Sequence, residues 1–409
     1  MTKLTGNAVV GQSGGPTAAI NATLAGVIKG ALGAGEIKTL YGMRNGVEGL
    51  LREELVNLTE RFANNSEDLD VLSATPAAAL GSCRKKLGSP DTDVATYERL
   101  FEIFKKYDIR YFFYIGGNDS MDTVLKLSEY AAKNEYEMRV VGVPKTIDND
   151  LAVTDHTPGF GSAAKFVATT VKEFKRDISV YTVKSVTIVE IMGRDAGWLT
   201  ASAALPSLTG DGPDLVYLPE RAFDEDEFVA SVKRALDEHP AVLVAVSEGV
   251  KLADGRYVGE GIQSGAVDAF GHKALAGTGK VLEGIVKNKI GCKVRLAELS
   301  LTQRCAGHIV SKTDIDESLL IGAEAVVRAV DGETGVMMIF VRSESGEYKV
   351  EIASAPIKGI ANEIRKVPDE YINEEGNGIT DAGINYILPL IKGEISQNYD
   401  FGMPRHIKI

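Results

Sequence analysis

Residues 145–150 read Lys-Thr-Ile-Asp-Asn-Asp and place one cation and two carboxylates directly behind an apolar run that ends at Val143-Pro144. Transfer of a phosphoryl group to a hydroxyl needs a base to accept the hydroxyl proton and positive charge to stabilise the group in flight. Asp148 and Lys145 are residue types that supply these. A solvated turn with an Asp-rich helix cap has the same composition, so the segment takes its meaning from its surroundings. Gly116-Gly117-Asn118-Asp119-Ser120 follows a second apolar run, Tyr111 to Ile115. Its backbone could admit a phosphate chain while its polar side chains hold Mg²⁺ or the ion's waters, because magnesium takes few direct protein ligands. The competing reading is a capped helix start. Met192-Gly193-Arg194-Asp195-Ala196-Gly197-Trp198 follows the run ending at Ile191, and sets a guanidinium suited to bidentate phosphate or sugar contacts beside a glycine that permits close approach. Ser13-Gly14-Gly15-Pro16 breaks the run Ala8 to Val10, where backbone N–H groups and a helix dipole can meet an anion. A tight corner asks for the same glycines. Arg84, Arg295 and Arg304 stand near glycine or polar clusters, and singly each reads as a surface residue.

These segments stand at the ends of apolar runs, and the runs set the fold class. After Pro16 the apolar residues Ile20, Leu24, Val27 and Ile28 recur at i, i+4, i+7 and i+8, which predicts a helix. A second strand, glycine turn and helix unit runs through Met121, Val124 and Leu125. Further strands are predicted at Val140 to Val143, Val186 to Ile191, Leu215 to Leu218 and Ala241 to Val246. Strands alternating with helices predict an α/β protein of two doubly wound, mostly parallel, Rossmann-like lobes, with ligands bound beyond the strand carboxyl ends. Val336 to Arg342, a turn over 343–347, and Tyr348 to Ala353 read as a hairpin followed by helices, a C-terminal α+β extension. No linker marks a boundary, so the two lobes pack closely and exchange elements. Two fingerprints fail on context. Gly277-Thr278-Gly279-Lys280 lacks the first glycine and the Ser/Thr of a P-loop, and Gly159-Phe160-Gly161-Ser162-Ala163-Ala164 follows Asp155-His156-Thr157-Pro158 rather than a hydrophobic strand.

Composition narrows the classes further. The 409 residues, 44% apolar and 25% charged, fit an ordinary globular chain of two domains. The first residues carry no basic region followed by a long apolar stretch, and no run is long enough to span a bilayer, so a cytoplasmic protein without membrane contact is expected. Cys83, Cys292 and Cys305 lack CxxC spacing and read as reduced thiols. The formal net charge of -12, with no basic block interrupting it, argues against nucleic acid. An anionic substrate would need a local cationic pocket.

Taken together, SGGPTAAIN, GSCRKKL, IGGNDS, PKTIDND, TPGF, IMGRDAGWLTA and VAVSEGV stand in an order that resembles the phosphofructokinases over about residues 7–325. The tail is similar, more loosely, to the extended C-terminus of larger members. The resemblance implies a donor lobe of 1–158 with about 304–350, a fructose 6-phosphate lobe of 159–303, and a helical extension of about 351–409. It implies Asp148 as the base that deprotonates the sugar 1-hydroxyl. Thr146, Asp150, Met192, Gly193, Arg194 and Glu248 would line the fructose 6-phosphate site. Gly14, Gly15, Arg84, Gly117 and Asp119 would face the donor, with Mg²⁺ near Asn118 and Asp119. Arg295 and Arg304 match arginines of the sugar-phosphate region, Arg295 reaching into the neighbouring subunit of a homodimer or homotetramer.

ATP-dependent members usually carry GGDGS and PGTIDND, whereas pyrophosphate users resemble this chain in Asp119 and Lys145. A carboxylate at Asp119 would repel the inner phosphate of ATP, and Lys145 could stabilise the pyrophosphate transition state. Pyrophosphate is therefore the expected donor. The alternatives are an ATP-dependent enzyme, a non-catalytic sugar-phosphate-sensing subunit, and a related substrate such as sedoheptulose 7-phosphate. Several positions depart from the family pattern: Asn118 stands for a metal-associated aspartate, Leu301 for a Tyr or His, Ser185 or Lys184 for an Arg, and Cys305-Ala306 for Gly-Gly. Lys184, Lys312 or His308 are the expected compensating cations.

Overall fold

The computed structural model describes residues 3–260, 277–344, 346–360 and 363–409; position 345 of the expected turn and 261–276 of the expected second lobe lie outside them. In chain order the strands are β1 (Gly6–Gln12), β2 (Ile37–Met43), β3 (Leu55–Asn57), β4 (Ile109–Gly116), β5 (Arg139–Pro144), β6 (Ser185–Ile191), β7 (Leu215–Tyr217), β8 (Ala241–Ser247), β9 (Lys293–Glu298), β10 (Val336–Arg342) and β11 (Val350–Pro356). A short terminal hairpin pairs Tyr399–Asp400 with Met403–Pro404.

The first sheet runs β11-β10-β5-β4-β1-β2-β3 and the second β7-β8-β6-β9. All pairs of the second are parallel. In the first, only the edge pairs β10/β11 and β2/β3 are antiparallel. Strands covered by helices on both faces need apolar residues on both, and Ala8, Val9 and Val10 accordingly are wholly buried in a row. The first sheet separates two cores. One contains Ile20, Leu24 and Val27 with Ile321, Ala325 and Val326, and the other Leu100, Phe101 and Phe104 with Met121, Val124 and Leu127.

The expected C-terminal α+β extension opens with β11, which joins the first sheet. Beyond it the helical expectation for 351–409 is corrected: the α-helix among its described residues is Asp381–Ile387, flanked by short 3-10 turns. Pro356, Gly359, Pro368, Gly376 and Gly378 interrupt any longer run. The tail nonetheless packs into a core, since Val367, Ile372, Ile384, Tyr386, Ile387 and Leu390 cluster with Trp198, Val189 and Ile191 of the second lobe.

The two fingerprints set aside above sit at helix N-termini already filled by the protein's own carboxylates. Asp314 accepts from the Gly159 and Ser162 amides at 2.8 and 2.9 Å at the start of the helix Phe160–Ile178. Glu190 accepts from the Gly279 amide at 2.5 Å in the first turn of Thr278–Ile285.

The helices Ile20–Gly33 and Lys312–Val330 cross with almost no space between their backbones. A Cβ on Gly26 would lie 2.1 Å from the Leu319 carbonyl oxygen, and one on Gly322 2.2 Å from that of Thr23. Overpacking against backbone costs about 1–3 kcal/mol, more than the ~1 kcal/mol that Ala gains over Gly in a helix. Gly322→Ala should therefore lower the thermal midpoint, whereas Gly284→Ala, which meets nothing within 4 Å, should leave it unchanged or raise it; calorimetry of the two variants checks this.

Candidate active site

In the first sheet the strand order reverses beside β1, with β2 on one side and β4 on the other, so the loops leaving β1 and β4 diverge and open a crevice. In the second, β6 has β8 and β9 on either side. The carboxyl ends of the two sheets face one another across a cavity of about 500 Å³. Each strand end delivers a segment: Gly14 and Gly15 after β1, Gly117 to Ser120 after β4, Lys145 to Asp150 after β5, Met192 and Arg194 after β6, Glu248 after β8. Arg84 and Arg304 also line it. Residues scattered over 290 positions of sequence, from Gly14 to Arg304, thus meet in one space.

Gly14 and Gly15 keep room for cations. Gly14 is left-handed (φ 77°), and a Cβ there would lie 3.4 Å from Lys145 Nζ, while one on Gly15 would lie 3.3 Å from Arg304 Nη1. Lys145 Nζ donates to the Gly15 carbonyl at 2.6 Å. Asp148 is braced locally, its amide donating to Thr146 Oγ1 at 3.1 Å. Gly193 sits between Met192 and Arg194, two of the lining residues. At φ 148°, a conformation open to glycine, its carbonyl accepts from Ser247 Oγ and from the Gly249 amide. Met192 is tethered through its amide to Gln303 Oε1 at 3.2 Å.

Burial sets the charges. Desolvation pulls the Lys145 ammonium down to about 8, against the opposing pull of Asp148 and Asp150. Desolvation raises Asp148, opposed by Lys145, Thr146, Arg194 and Arg304. Asp150 rises to about 7 through burial and then the charge of Asp148, and Glu248 rises to about 7 for the same two reasons. Neutral pH therefore lies close to the titration of several groups in one cavity, the arrangement in which protons are readily exchanged.

At the opposite end Asp119 Oδ1 pairs with Lys86 Nζ at 2.7 Å. Lys86 lines the cavity and was passed over in sequence, although it lies in the GSCRKKL motif; only its position opposite Asp119 distinguishes it from Lys85. Asn118 Oδ1 and Thr17 Oγ1 are buried without a hydrogen-bond partner, and both residues line the cavity. Asp195, inside the Met192–Trp198 segment but given no role there, also lines it, as does Ile364, which carries no sequence signal.

Arg295 stands apart from this cavity, exposed on β9 with its guanidinium 5.8 Å over the Tyr181 ring. Leu301 is 57% exposed and Ser185 is buried in β6. Of the expected compensating cations, Lys184 pairs with Asp237 and Lys312 with Asp316, and neither they nor His308 line the cavity of their own chain. Their helix and loop positions carry them onto outer surfaces. Among the described residues no group of three or more His, Cys, Asp and Glu could hold a metal ion, and no helix is long and apolar enough to cross a membrane.

The phosphofructokinase family model matches residues 7–328. The chain is 43% identical to the pyrophosphate–fructose 6-phosphate 1-phosphotransferase of Xanthomonas campestris over 99% of its own length and 96% of that protein's. It is 40% identical to the Halomonas elongata protein of the same name over 98% and 96%. A crystal structure of the pyrophosphate-dependent phosphofructokinase of Nitrosospira multiformis superposes with a TM-score of 0.89 at 38% identity, covering 98% of this chain and 96% of that one. With its glycine turns, its buried lysine and carboxylates at facing sheet ends, and this similarity over nearly its full length, the chain belongs to the phosphofructokinase family.

Proposed function

We propose that the chain transfers a phosphoryl group from pyrophosphate to the 1-hydroxyl of fructose 6-phosphate, giving fructose 1,6-bisphosphate and phosphate. The observation that carries this reading is Lys145, buried between Asp148 and the glycine turn in a cavity that the Asp119–Lys86 pair also lines. Fructose 6-phosphate lies against Thr146, Asp150, Met192, Gly193, Arg194, Glu248 and Arg304. Asp148 accepts the proton of the 1-hydroxyl as its oxygen attacks the nearer phosphorus, and the P–O bond to the departing phosphate breaks in line. Lys145 and Arg84 hold the charge that develops on the transferred group and on the leaving phosphate. In the reverse direction Asp148 returns the proton.

Pyrophosphate enters as its magnesium complex in this reading. The donor set fits that role: the unpartnered Asn118 Oδ1 is a neutral oxygen suited to a metal or its water, and Asp119 stands beside it. The ion offsets part of the charge of pyrophosphate. Donor choice follows from Asp119, whose carboxylate, held by Lys86, occupies and repels the path that a nucleotide's inner phosphate would take.

Three free thiols and sugar-phosphate substrates support a cytoplasmic location. Arg295 is well placed for a neighbouring subunit's sugar site in a homodimer or homotetramer, because it is exposed and outside its own cavity.

Purified protein with fructose 6-phosphate and Mg²⁺ should turn over with pyrophosphate and not with ATP, and chelation by EDTA should stop it. ATP turnover by the parent protein would overturn the donor reading, and silence with both donors would favour a sensing subunit or another sugar. Lys145→Gly with Asp119→Gly should gain ATP use. Asp148→Asn should lower kcat by about 10²–10⁴-fold, the range of a lost general base.

The raised carboxyls also make a stability prediction. A carboxyl whose folded pKa lies above its unfolded value is penalised once ionised, so its cost to folding grows from the ordinary carboxylate range up to about pH 7 and is complete above it. Glu248→Gln should accordingly raise the thermal midpoint at pH 8 more than at pH 5, with activity lost at both; melting curves at the two pH values check the difference.

A further inference from the structure

We propose that Tyr386 and Arg365, both beyond the matched family region 7–328, are positioning residues that fix Asp148 and Asp150 by clamping Asn149 and the backbone of the loop. This rests on the reading above, in which Asp148 is the base.

Asn149 lies between the two carboxylates, is wholly buried, and holds a left-handed backbone at φ 53°. A non-glycine residue there persists only when its surroundings enforce it. Its side chain is held at both ends: Oδ1 accepts from the Thr157 amide at 3.1 Å, and Nδ2 donates to the Tyr386 hydroxyl, also at 3.1 Å. That hydroxyl is fully used. It donates to the Asp155 carbonyl at 2.5 Å and accepts from Arg365 Nη2 at 2.9 Å as well as from Asn149, which exhausts one donor and two lone pairs.

Arg365 holds the same loop from its other side. Its amide donates to the Asp150 carbonyl at 2.8 Å, Ile364 bridges Leu151 in antiparallel fashion, and the guanidinium donates to the Thr154 and Asp155 carbonyls. The guanidinium also lies 4.3 Å over the Trp198 ring, and Trp198 Nε1 donates to the Arg365 carbonyl at 2.9 Å. Trp198 begins the short helix that follows Arg194 to Gly197. Two residues further on, the Val367 amide and the Gly197 amide share Glu220 Oε1 at 3.0 and 2.9 Å. The tail therefore connects the loop of the base to the loop of Arg194.

The need for such a clamp follows from the charges. Asp148, Asp150 and Glu248 crowd one buried space and repel when ionised, so an untethered loop would relax away from the hydroxyl it must reach. A displacement of about 1 Å at a reacting group can cost on the order of 100-fold in rate. The tail is suited to resist it because Tyr386, Ile384, Ile387 and Leu390 are anchored in the second-lobe core.

The test is a double-mutant cycle on kcat with purified, folded variants. Tyr386→Phe removes one oxygen and keeps the ring; Asn149→Gly removes the clamped side chain and tolerates the left-handed backbone. Tyr386→Phe should lower kcat roughly tenfold while KM for pyrophosphate stays within about twofold, because the donor end is untouched. The double variant should lose less than the product of the two single losses, since the Asn149–Tyr386 bond is common to both while the hydroxyl's bonds to Arg365 and Asp155 belong to Tyr386 alone. Parental kcat in Tyr386→Phe, or losses that multiply in the double variant, would overturn the proposal. If Asn149→Gly does not fold, Tyr386→Phe decides alone: a KM rise at unchanged kcat would overturn the clamp. Asp148→Asn is measured alongside. Parental activity in Asp148→Asn would sink the assignment of the base and the clamp with it, whereas an inactive Asp148→Asn beside an unimpaired Tyr386→Phe would sink the clamp only.

Discussion

Lys145 is 3% exposed, and the compensation for its buried charge comes from Asp148 and Asp150, three and five residues further along the chain. An ammonium removed from water in this way carries a desolvation cost that only opposed charge can offset. The carboxylates pay the same penalty and depend on the lysine in turn. Each set lowers the cost of burying the other, and the hydrogen bond from Lys145 to the Gly15 carbonyl ties the end of β5 to the glycine turn after β1. A chain of net charge -12 can then receive highly anionic substrates, because Arg84, Lys86, Lys145, Arg194 and Arg304 converge on one cavity and set a locally cationic wall.

The fold offers several helix N-termini at which an anion could bind, and the sequence distributes its own carboxylates among them. Asp314 fills the start of Phe160–Ile178 and Glu190 that of Thr278–Ile285. The start of Asn118–Lys133 instead faces the cavity, with Asn118 Oδ1 left without a partner and Asp119 turned to Lys86. Selectivity for where phosphate binds is thus decided partly by which dipoles the protein neutralises internally. In the proposed reaction the same carboxylate at Asp119 serves the donor choice, which would set anion binding and exclusion of the longer nucleotide within one helical turn.

Connection of the two lobes does not rest on a linker. Lys312–Val330 lies against Ile20–Gly33 through the glycine pair Gly26 and Gly322, returning the chain from the second lobe to the first. The tail then crosses back, adding β11 to the first sheet and placing Tyr386 and Leu390 in the core of the second. Burying an apolar side chain of this kind contributes about 1.5–3 kcal/mol, which is ample to anchor a segment poor in regular structure. The loops of the site lie between these crossings and are held from both directions.

Much of this was legible in the residues themselves. Continuous apolar runs fixed the parallel strands, because a strand covered on both faces has no polar side to show. The glycine turns and the Lys145–Asp150 and Met192–Trp198 segments marked the strand ends, because chemistry at a sheet edge needs glycine, charge and short polar side chains in close succession. What sequence could not supply was everything that depends on residues distant in the chain. Lys86 reads like Lys85 until Asp119 stands opposite it, and the ion pairs of Lys184 with Asp237 and Lys312 with Asp316 appear only in space. Arg365 carries no motif and Tyr386 stands only in the tail's loose resemblance to larger members, since a positioning role is defined by which carbonyl or hydroxyl lies within about 3 Å. Local spacing along the chain determined the elements and the reactive groups; only tertiary packing decided which charges met, because hydrogen bonds and ion pairs depend on distance through space.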